Sequence, residues 1–251
     1  MATFTSSDDL HGAEFVEVDL TGARISGADL SEVVMRGVIV RETEIDAPWL
    51  AQQERSLIVN GVDVTAYVEA ELDRRFPGRE QRRAPDPAGL RQAWAAAETA
   101  WATALARAAA MPPGTVATSV DGEWSFAQTL RHLVMATDAW LGRGVLGIEQ
   151  PFHPLGLAFT GVTDDELDLS LFTSTEPTYD EVLAARAERV AMVRDYLDAV
   201  TPEALDEPRN NPWAPERPAT VRSCLHVVLR EEWEHLRYVV RDLDAIESPC
   251  S

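Results

Sequence analysis

The stretch Leu225–Arg237, LHVVLREEWEHLR, decides how the rest of the chain is organised. The apolar residues in and just after this stretch recur at the spacing of a helix; they are Leu225, Val228, Leu229, Leu236 and Val239. Glu231 and His235 lie four residues apart, so a helix places them on one face. A carboxylate and an imidazole one turn apart can bind one divalent metal from the same side. The alternative is a surface pair, which the same spacing often produces by chance.

A third ligand must come from another helix, and His132 is the best candidate. It lies in the middle of a predicted helix, QTLRHLVMATDAW, over residues 128–140. Most of its neighbours are apolar, and an imidazole buried there without a partner would be costly. The alternative is a core histidine that is satisfied by an ordinary hydrogen bond.

Composition excludes several classes of function. The chain has 22 basic and 42 acidic residues, a formal net charge of −20. This charge repels phosphates, so we expect neither nucleic acid nor anionic membrane as a partner. No apolar run is long enough to span a membrane, and the first residues do not resemble a signal peptide, which favours the cytoplasm. The two cysteines, Cys224 and Cys250, do not predict a structural disulfide.

An internal repeat of five residues covers residues 13–47. Through seven repeats the third position is apolar and the first is small or β-branched. Period five fits neither helix nor strand but fits a solenoid with five-residue faces. The segment resembles the pentapeptide-repeat family, which implies a right-handed β-helix, and residues 1–47 are interpreted as this β-helix segment. A β-helix this short cannot bury its own ends, so we expect it to dock on the rest of the chain. The alternative is that the acidic repeat serves as a decoy surface for a partner.

The remaining sequence predicts a mainly α protein. Residues 48–85 are interpreted as a linker with one short helix, and residues 86–251 as a four-helix bundle. Helix starts are indicated by Asp86, Ser125 and Thr178, and the second helix is expected to end at residue 140 or 141. A connection of about 35 residues follows the second helix, which predicts a long crossover to the third.

Two features together resemble the DinB-like superfamily of metal-binding four-helix bundles. One is Gly122–Ser125 leading into a helix with Thr129–Leu133, and the other is the last helix with Glu231 and His235. The resemblance covers residues 86–246 and implies His132, Glu231 and His235 as metal ligands. Many members have histidine at the first of the two last-helix positions. Glu231 instead matches the branch of mycothiol-dependent maleylpyruvate isomerase.

Three such ligands leave a divalent ion with open positions. Zinc is the expected metal, and nickel, iron(II) and manganese also suit this donor set. The expected activity is S-transfer or isomerisation with a small thiol such as mycothiol and an electrophile as partners. Hydrolysis by a bound water, oxygen chemistry and a metal- or ligand-binding role without turnover are the alternatives. A homodimer is left open.

Other side chains near the predicted site have weaker signals. Arg237 and Arg241 are candidates to hold a substrate or cofactor carboxylate, or else form ion pairs with acidic neighbours. Trp124 is a candidate wall of an apolar pocket or a core residue. His153 lies on the crossover and is a candidate to reach the metal, whereas His226 should face away from His235 on the helix.

Overall fold

The computed structural model describes residues 2–5, 7–50, 56–159, 167–173 and 175–248. The chain divides into two compact units, Met1–Asp46 and Ala47–Ser251. Within the described ranges all α-helices belong to the second unit, which confirms the mainly helical fold class. None of these helices combines the length and the apolar character needed to cross a membrane.

The N-terminal unit repeats its backbone conformation every five residues. Positive φ angles recur at Gly12, Glu17, Gly22, Gly27, Glu32, Gly37 and Glu42. Turn hydrogen bonds recur every ten residues, from Ala13 N to Leu10 O, Ala23 N to Leu20 O and Val33 N to Leu30 O. A positive φ at the third residue of each of these turns is the geometry of a type II turn. The five-residue period of the sequence is therefore present in the backbone.

The apolar positions of this unit are not enclosed. Phe15 is 57% exposed and Ile25 is 66% exposed, although both occupy the apolar third position of a repeat. The described residues of the unit form successive turns and contain no strand. Neighbouring coils are what bury the interior of a solenoid, so a run of so few repeats leaves these apolar positions exposed. Docking of this unit on another surface stays a prediction.

Five α-helices occur among the described residues of the second unit. They are α1 (Thr65–Arg75), α2 (Pro87–Ala110), α3 (Phe126–Thr137), α4 (Tyr179–Ala199) and α5 (Val221–Glu247). Two short antiparallel ribbons pair β1 (Ile58–Val59) with β2 (Val62–Asp63) and β3 (Pro208–Asn210) with β4 (Pro218–Thr220). Short 3-10 helices lie at Arg79–Arg83, Thr115–Ala117, Leu169–Leu171 and Ala204–Asp206.

Side-chain caps fix where the long helices begin. The Asp86 carboxylate accepts a hydrogen bond from Gly89 N at 2.8 Å at the start of α2. Helices α3, α4 and α5 begin with capping boxes formed by Ser125 with Gln128, Thr178 with Glu181, and Thr220 with Ser223. These contacts satisfy backbone N–H groups that a helix leaves unpaired in its first turn. The predicted starts of α2, α3 and α4 are confirmed.

Helices α2 to α5 pack as a four-helix bundle with a long crossover between α3 and α4. Helix α3 packs against α4 and α5, and α2 packs against the same two helices. Trp233 of α5 is 1% exposed and shares a core cluster with Leu133 of α3 and Val182 of α4. Burial of this indole among aliphatic side chains stabilises the bundle, since truncation of a buried tryptophan to alanine costs about 3–5 kcal/mol.

Helix α3 does not end where the sequence pattern indicated. It continues as a π-helix over Asp138–Val145. Asp138 is 1% exposed, accepts a hydrogen bond from His153 N at 2.8 Å and forms an ion pair with Arg189 of α4. Burial raises the pKa of Asp138, and these contacts reduce the rise. The carboxylate therefore ties the crossover and α4 to the end of α3.

The segment before the bundle is attached to α5 by buried charge. Arg79 donates to Asp73 at 2.6 Å, to Glu69 at 3.0 Å and to Glu234 at 3.3 Å. Its side chain is 3% exposed, so these pairs are shielded from solvent. Because Glu234 precedes His235, this network fixes α5 close to the predicted metal ligands.

Candidate metal centre

Two helices bring the three predicted ligands together. His132 lies on the inward face of α3, and Glu231 and His235 lie one turn apart on α5. The Oε2 atom of Glu231 is 3.3 Å from Nε2 of His235 and 3.7 Å from Nε2 of His132. One ligand atom from each residue lies within 4.8 Å of the others. Their side chains are between 7% and 16% exposed, so the cluster is largely shielded from water.

A backbone contact sets the tautomer of His132. Its Nδ1 atom lies 3.1 Å from the carbonyl oxygen of Leu157. A carbonyl oxygen only accepts, so Nδ1 carries a proton and donates. In the neutral ring Nε2 then holds a lone pair, and that lone pair faces the acceptor Oε2 of Glu231. Two acceptors in this position require a proton or a metal ion between them.

The ionisation of the cluster suits a metal ion. Burial alone would raise the pKa of Glu231, but its contacts with His132 and His235 outweigh burial and hold that pKa well below its ordinary value. Burial lowers the pKa of His235, although Glu231 opposes this shift. Glu231 is therefore an ionised carboxylate at neutral pH, which is the protonation state of a metal ligand.

The spacing of the donor atoms also fits an ion. Nitrogen and oxygen ligands lie about 2.0–2.2 Å from zinc, so two donors of a tetrahedral ion are about 3.3–3.6 Å apart. The two measured distances from Glu231 Oε2, 3.3 Å and 3.7 Å, are close to this value. Nδ1 of His235 is buried and has no hydrogen-bond partner among the described residues, so no such contact there fixes the tautomer of this ring. The residues present therefore fit a divalent metal.

Two known families match parts of this chain. A family model described as the DinB superfamily matches residues 96–239. The chain belongs to the DinB superfamily. All three clustered residues lie in the matched range, and members of this superfamily generally bind a metal. A model of pentapeptide repeats matches residues 9–38 in the N-terminal unit. No curated protein and no solved structure matches the chain.

Aromatic rings flank the cluster of this DinB-like protein. The Trp124 ring lies 4.6 Å from the His132 ring at an interplanar angle of 36°, and 6.1 Å from the His235 ring. The Tyr238 ring meets the His235 ring edge to face at 5.6 Å. Arg241 donates to Glu123 at 2.7 Å, so an ion pair ties the residue next to Trp124 to α5. Trp124 is thereby placed as a wall of the site.

The two arginines predicted to bind a carboxylate are engaged in ion pairs. Arg237 donates to Glu234 at 3.1 Å, and Arg241 donates to Asp242 at 2.8 Å as well as to Glu123. Their guanidinium groups lie 4.4 Å and 5.4 Å from the Tyr238 ring, beside the histidines. Their predicted role in holding a substrate carboxylate stays a prediction.

The other two histidines of the helical unit contact other groups. The backbone N of His153 donates to Asp138, and its Nδ1 accepts from Leu155 N at 3.1 Å. The clustered ligand set among the described residues does not include His153. His226 Nε2 lies 2.9 Å from the carbonyl oxygen of Ala84, so it faces the start of the bundle.

Two supporting contacts could not be found by sequence reasoning. The Leu157 carbonyl is a backbone atom, so no side-chain pattern distinguishes it from its neighbours. Nη2 of Arg230 lies 3.7 Å from Oε1 of Glu231, and the Arg230 guanidinium lies 4.1 Å from the Trp49 ring. Trp49 lies far from Arg230 in sequence, so only the fold shows that this cation, the chain neighbour of the ligand carboxylate, packs on an indole ring.

Proposed function

We propose that this DinB-like protein is a metal-dependent S-transferase or isomerase that uses a small thiol of the mycothiol type. The observation that carries the proposal is the convergence of His132, Glu231 and His235, which present two nitrogen donors and one oxygen donor. When bound, a divalent ion supplies a Lewis acid that stabilises a thiolate at neutral pH. In S-transfer the thiol sulfur would bond to an electrophilic carbon as the leaving group departs with its bonding electrons. In isomerisation the sulfur would add to a carbon–carbon double bond and be expelled again after rotation about the resulting single bond, so that no group is lost.

The chain's own residues prepare the site for this chemistry. The Leu157 carbonyl holds the His132 ring with Nε2 directed at Glu231. Trp124 and Tyr238 cover the two imidazoles and exclude water from part of the cluster. A drier site strengthens every charge interaction within it, because the local dielectric constant is lower.

A binding role without turnover is the second candidate. The observation behind it is that ionisable groups beside the cluster neutralise one another, as Arg241 does with Asp242 and Glu123. A general base or acid that is already in an ion pair moves a proton less readily. Zinc, nickel, iron(II) or manganese would then be held for sensing or storage, and a metal-dependent hydrolase stays a further alternative.

The two candidates are separated by incubating the untagged, metal-loaded protein with mycothiol and monochlorobimane. The enzyme hypothesis predicts thiol consumption at least ten-fold above that of the same protein after chelation. His132→Ala should abolish this difference, whereas His11→Ala, which changes an exposed histidine of the N-terminal unit, should preserve it. Bound metal without thiol consumption above the chelated control would favour the binding role.

A further inference from the structure

An open cavity lies beside the loop that carries Leu157, next to Arg131 of α3. Its volume is about 360 Å³, within the range of small-molecule sites. Its lining includes Arg131, Leu157, Ala158, Phe159, Leu169 and Phe172. The cavity is therefore mostly apolar, with one guanidinium in its wall.

Arg131 is a buried cation with a weakly held counter-ion. Its side chain is 6% exposed, and Nε donates to the Leu155 carbonyl at 3.0 Å. Nη1 lies 3.4 Å from both carboxylate oxygens of Glu176, at the long end of hydrogen-bond distances. The Glu176 side chain is 71% exposed, so solvent competes strongly for it. A better-placed carboxylate would bind Arg131 more strongly than Glu176 does.

The apolar wall of the cavity is fixed in place. Gly156 lies so close to the core that an added Cβ would be 2.9 Å from Phe172 and 3.2 Å from Met135 Cβ. Leu157 N donates to the Arg131 carbonyl at 3.1 Å, which holds the loop on α3. A preformed apolar wall next to a single fixed cation is the arrangement that recognises an amphipathic anion.

We propose that this cavity binds a monocarboxylate with an apolar body. The ligand carboxylate displaces Glu176 and pairs with Arg131, and the apolar body packs against Phe172 and Leu157. Leu157 links the cavity to the metal cluster. It lines the cavity, and its carbonyl oxygen accepts a hydrogen bond from Nδ1 of His132. A bound carboxylate would therefore steady the orientation of a metal ligand without entering the metal site.

The test is calorimetric titration of the full-length protein with octanoate, and with 1-octanol as the neutral ligand of matched chain length. We expect one saturable site for octanoate and at least ten-fold weaker binding of octanol, since charge-assisted hydrogen bonds account for that difference. Glu176→Gln should tighten octanoate binding several-fold, because the competing carboxylate is removed. Glu216→Gln, which changes another exposed glutamate, should leave it unchanged.

Arg131→Met should abolish the preference for octanoate over octanol. If that variant does not fold, Glu176→Gln still decides the outcome, because its side chain is exposed and contributes little to stability. Equal binding of octanoate and octanol would overturn the proposal, as would an unchanged octanoate affinity in Glu176→Gln. Octanoate should still bind at one saturable site after the metal has been removed by a chelator. The outcome of this test therefore does not depend on whether the proposed enzyme activity is found.

Discussion

Glu231 and Glu232 are neighbours on α5, yet their carboxylates lie in opposite kinds of environment. Glu232 is 1% exposed and pairs with Arg186 of α4, which is 6% exposed. Glu231 points toward His132 and His235 and has Arg230 at the longer distance of 3.7 Å. The Glu232 carboxylate therefore has its own cation. The Glu231 carboxylate instead faces two imidazole nitrogens, which can bind a metal ion when they carry no proton.

The pKa directions of the two carboxylates differ in the same way. Burial raises the pKa of Glu232, and Arg186 only partly offsets burial. For Glu231 the contacts with the imidazoles outweigh burial, and its pKa is lowered. A buried ion pair is a structural unit, and breaking it leaves an uncompensated charge. An ionised carboxylate beside two imidazole nitrogens is instead an open donor set. The comparison therefore separates a structural glutamate from a ligand glutamate.

The largest effect on stability is expected at the structural pair. Arg186→Met should lower the free energy of unfolding by about 3–5 kcal/mol, because Glu232 would remain buried without its cation. Urea denaturation followed by circular dichroism measures the change. The double variant Arg186→Met with Glu232→Leu should recover most of the loss, since no buried charge is left unpaired. A loss below about 1 kcal/mol in the single variant would contradict the structural role of the pair.

The second-largest effect on the free energy of unfolding is expected at Glu231, and only when metal is present. A metal at about 100 times its dissociation constant should raise the free energy of unfolding by about 2.7 kcal/mol. Glu231→Gln should remove that gain while it changes the metal-free protein much less than Arg186→Met does. Thermal melts with and without added zinc, for both variants, give the comparison. An equal gain from zinc in the wild type and in Glu231→Gln would show that Glu231 is no ligand.

A smaller effect is expected from the loop that orients His132. Gly156→Ala introduces a Cβ that would lie 3.1 Å from the His153 carbonyl and 2.9 Å from Phe172, so the loop must shift. The shift should disturb the Leu157 carbonyl and weaken metal affinity about 10- to 100-fold, as loss of an orienting contact does. Competition with a chromogenic chelator measures the affinity. Unchanged affinity would mean that the Leu157 contact does not orient the ligand.

The smallest expected effect is on the pH dependence of stability and concerns His226 of α5. Its ring contacts a carbonyl oxygen, whereas the ring of His235 contacts a carboxylate. Burial lowers the pKa of His226, and the Ala84 carbonyl only partly opposes this. The unfolded chain then binds more protons than the folded chain below about pH 6.5, so stability falls as the pH drops from about 7 to 5. His226→Gln should make this fall shallower, as measured by denaturation midpoints. An unchanged or steeper slope would refute the assignment.

Much of this site could be predicted because it depends on local patterns. The four-residue spacing of Glu231 and His235 and the apolar surroundings of His132 are visible in the sequence, and so are the capping residues. The Leu157 carbonyl and the Arg186–Glu232 pair were not predictable, since they join distant segments. The π-helix at Asp138–Val145 was missed because its sequence has no periodicity distinct from that of an α-helix.

The central claim is that His132, Glu231 and His235 together hold one divalent metal ion. Elemental analysis of the untagged protein, after dialysis against metal-free buffer, tests it most directly. We expect about one equivalent of a divalent metal per chain, as for a three-ligand protein site. The triple variant His132→Ala, Glu231→Ala, His235→Ala should contain none, while His11→Ala should match the wild type. Equal metal content in the triple variant and the wild type would contradict the claim.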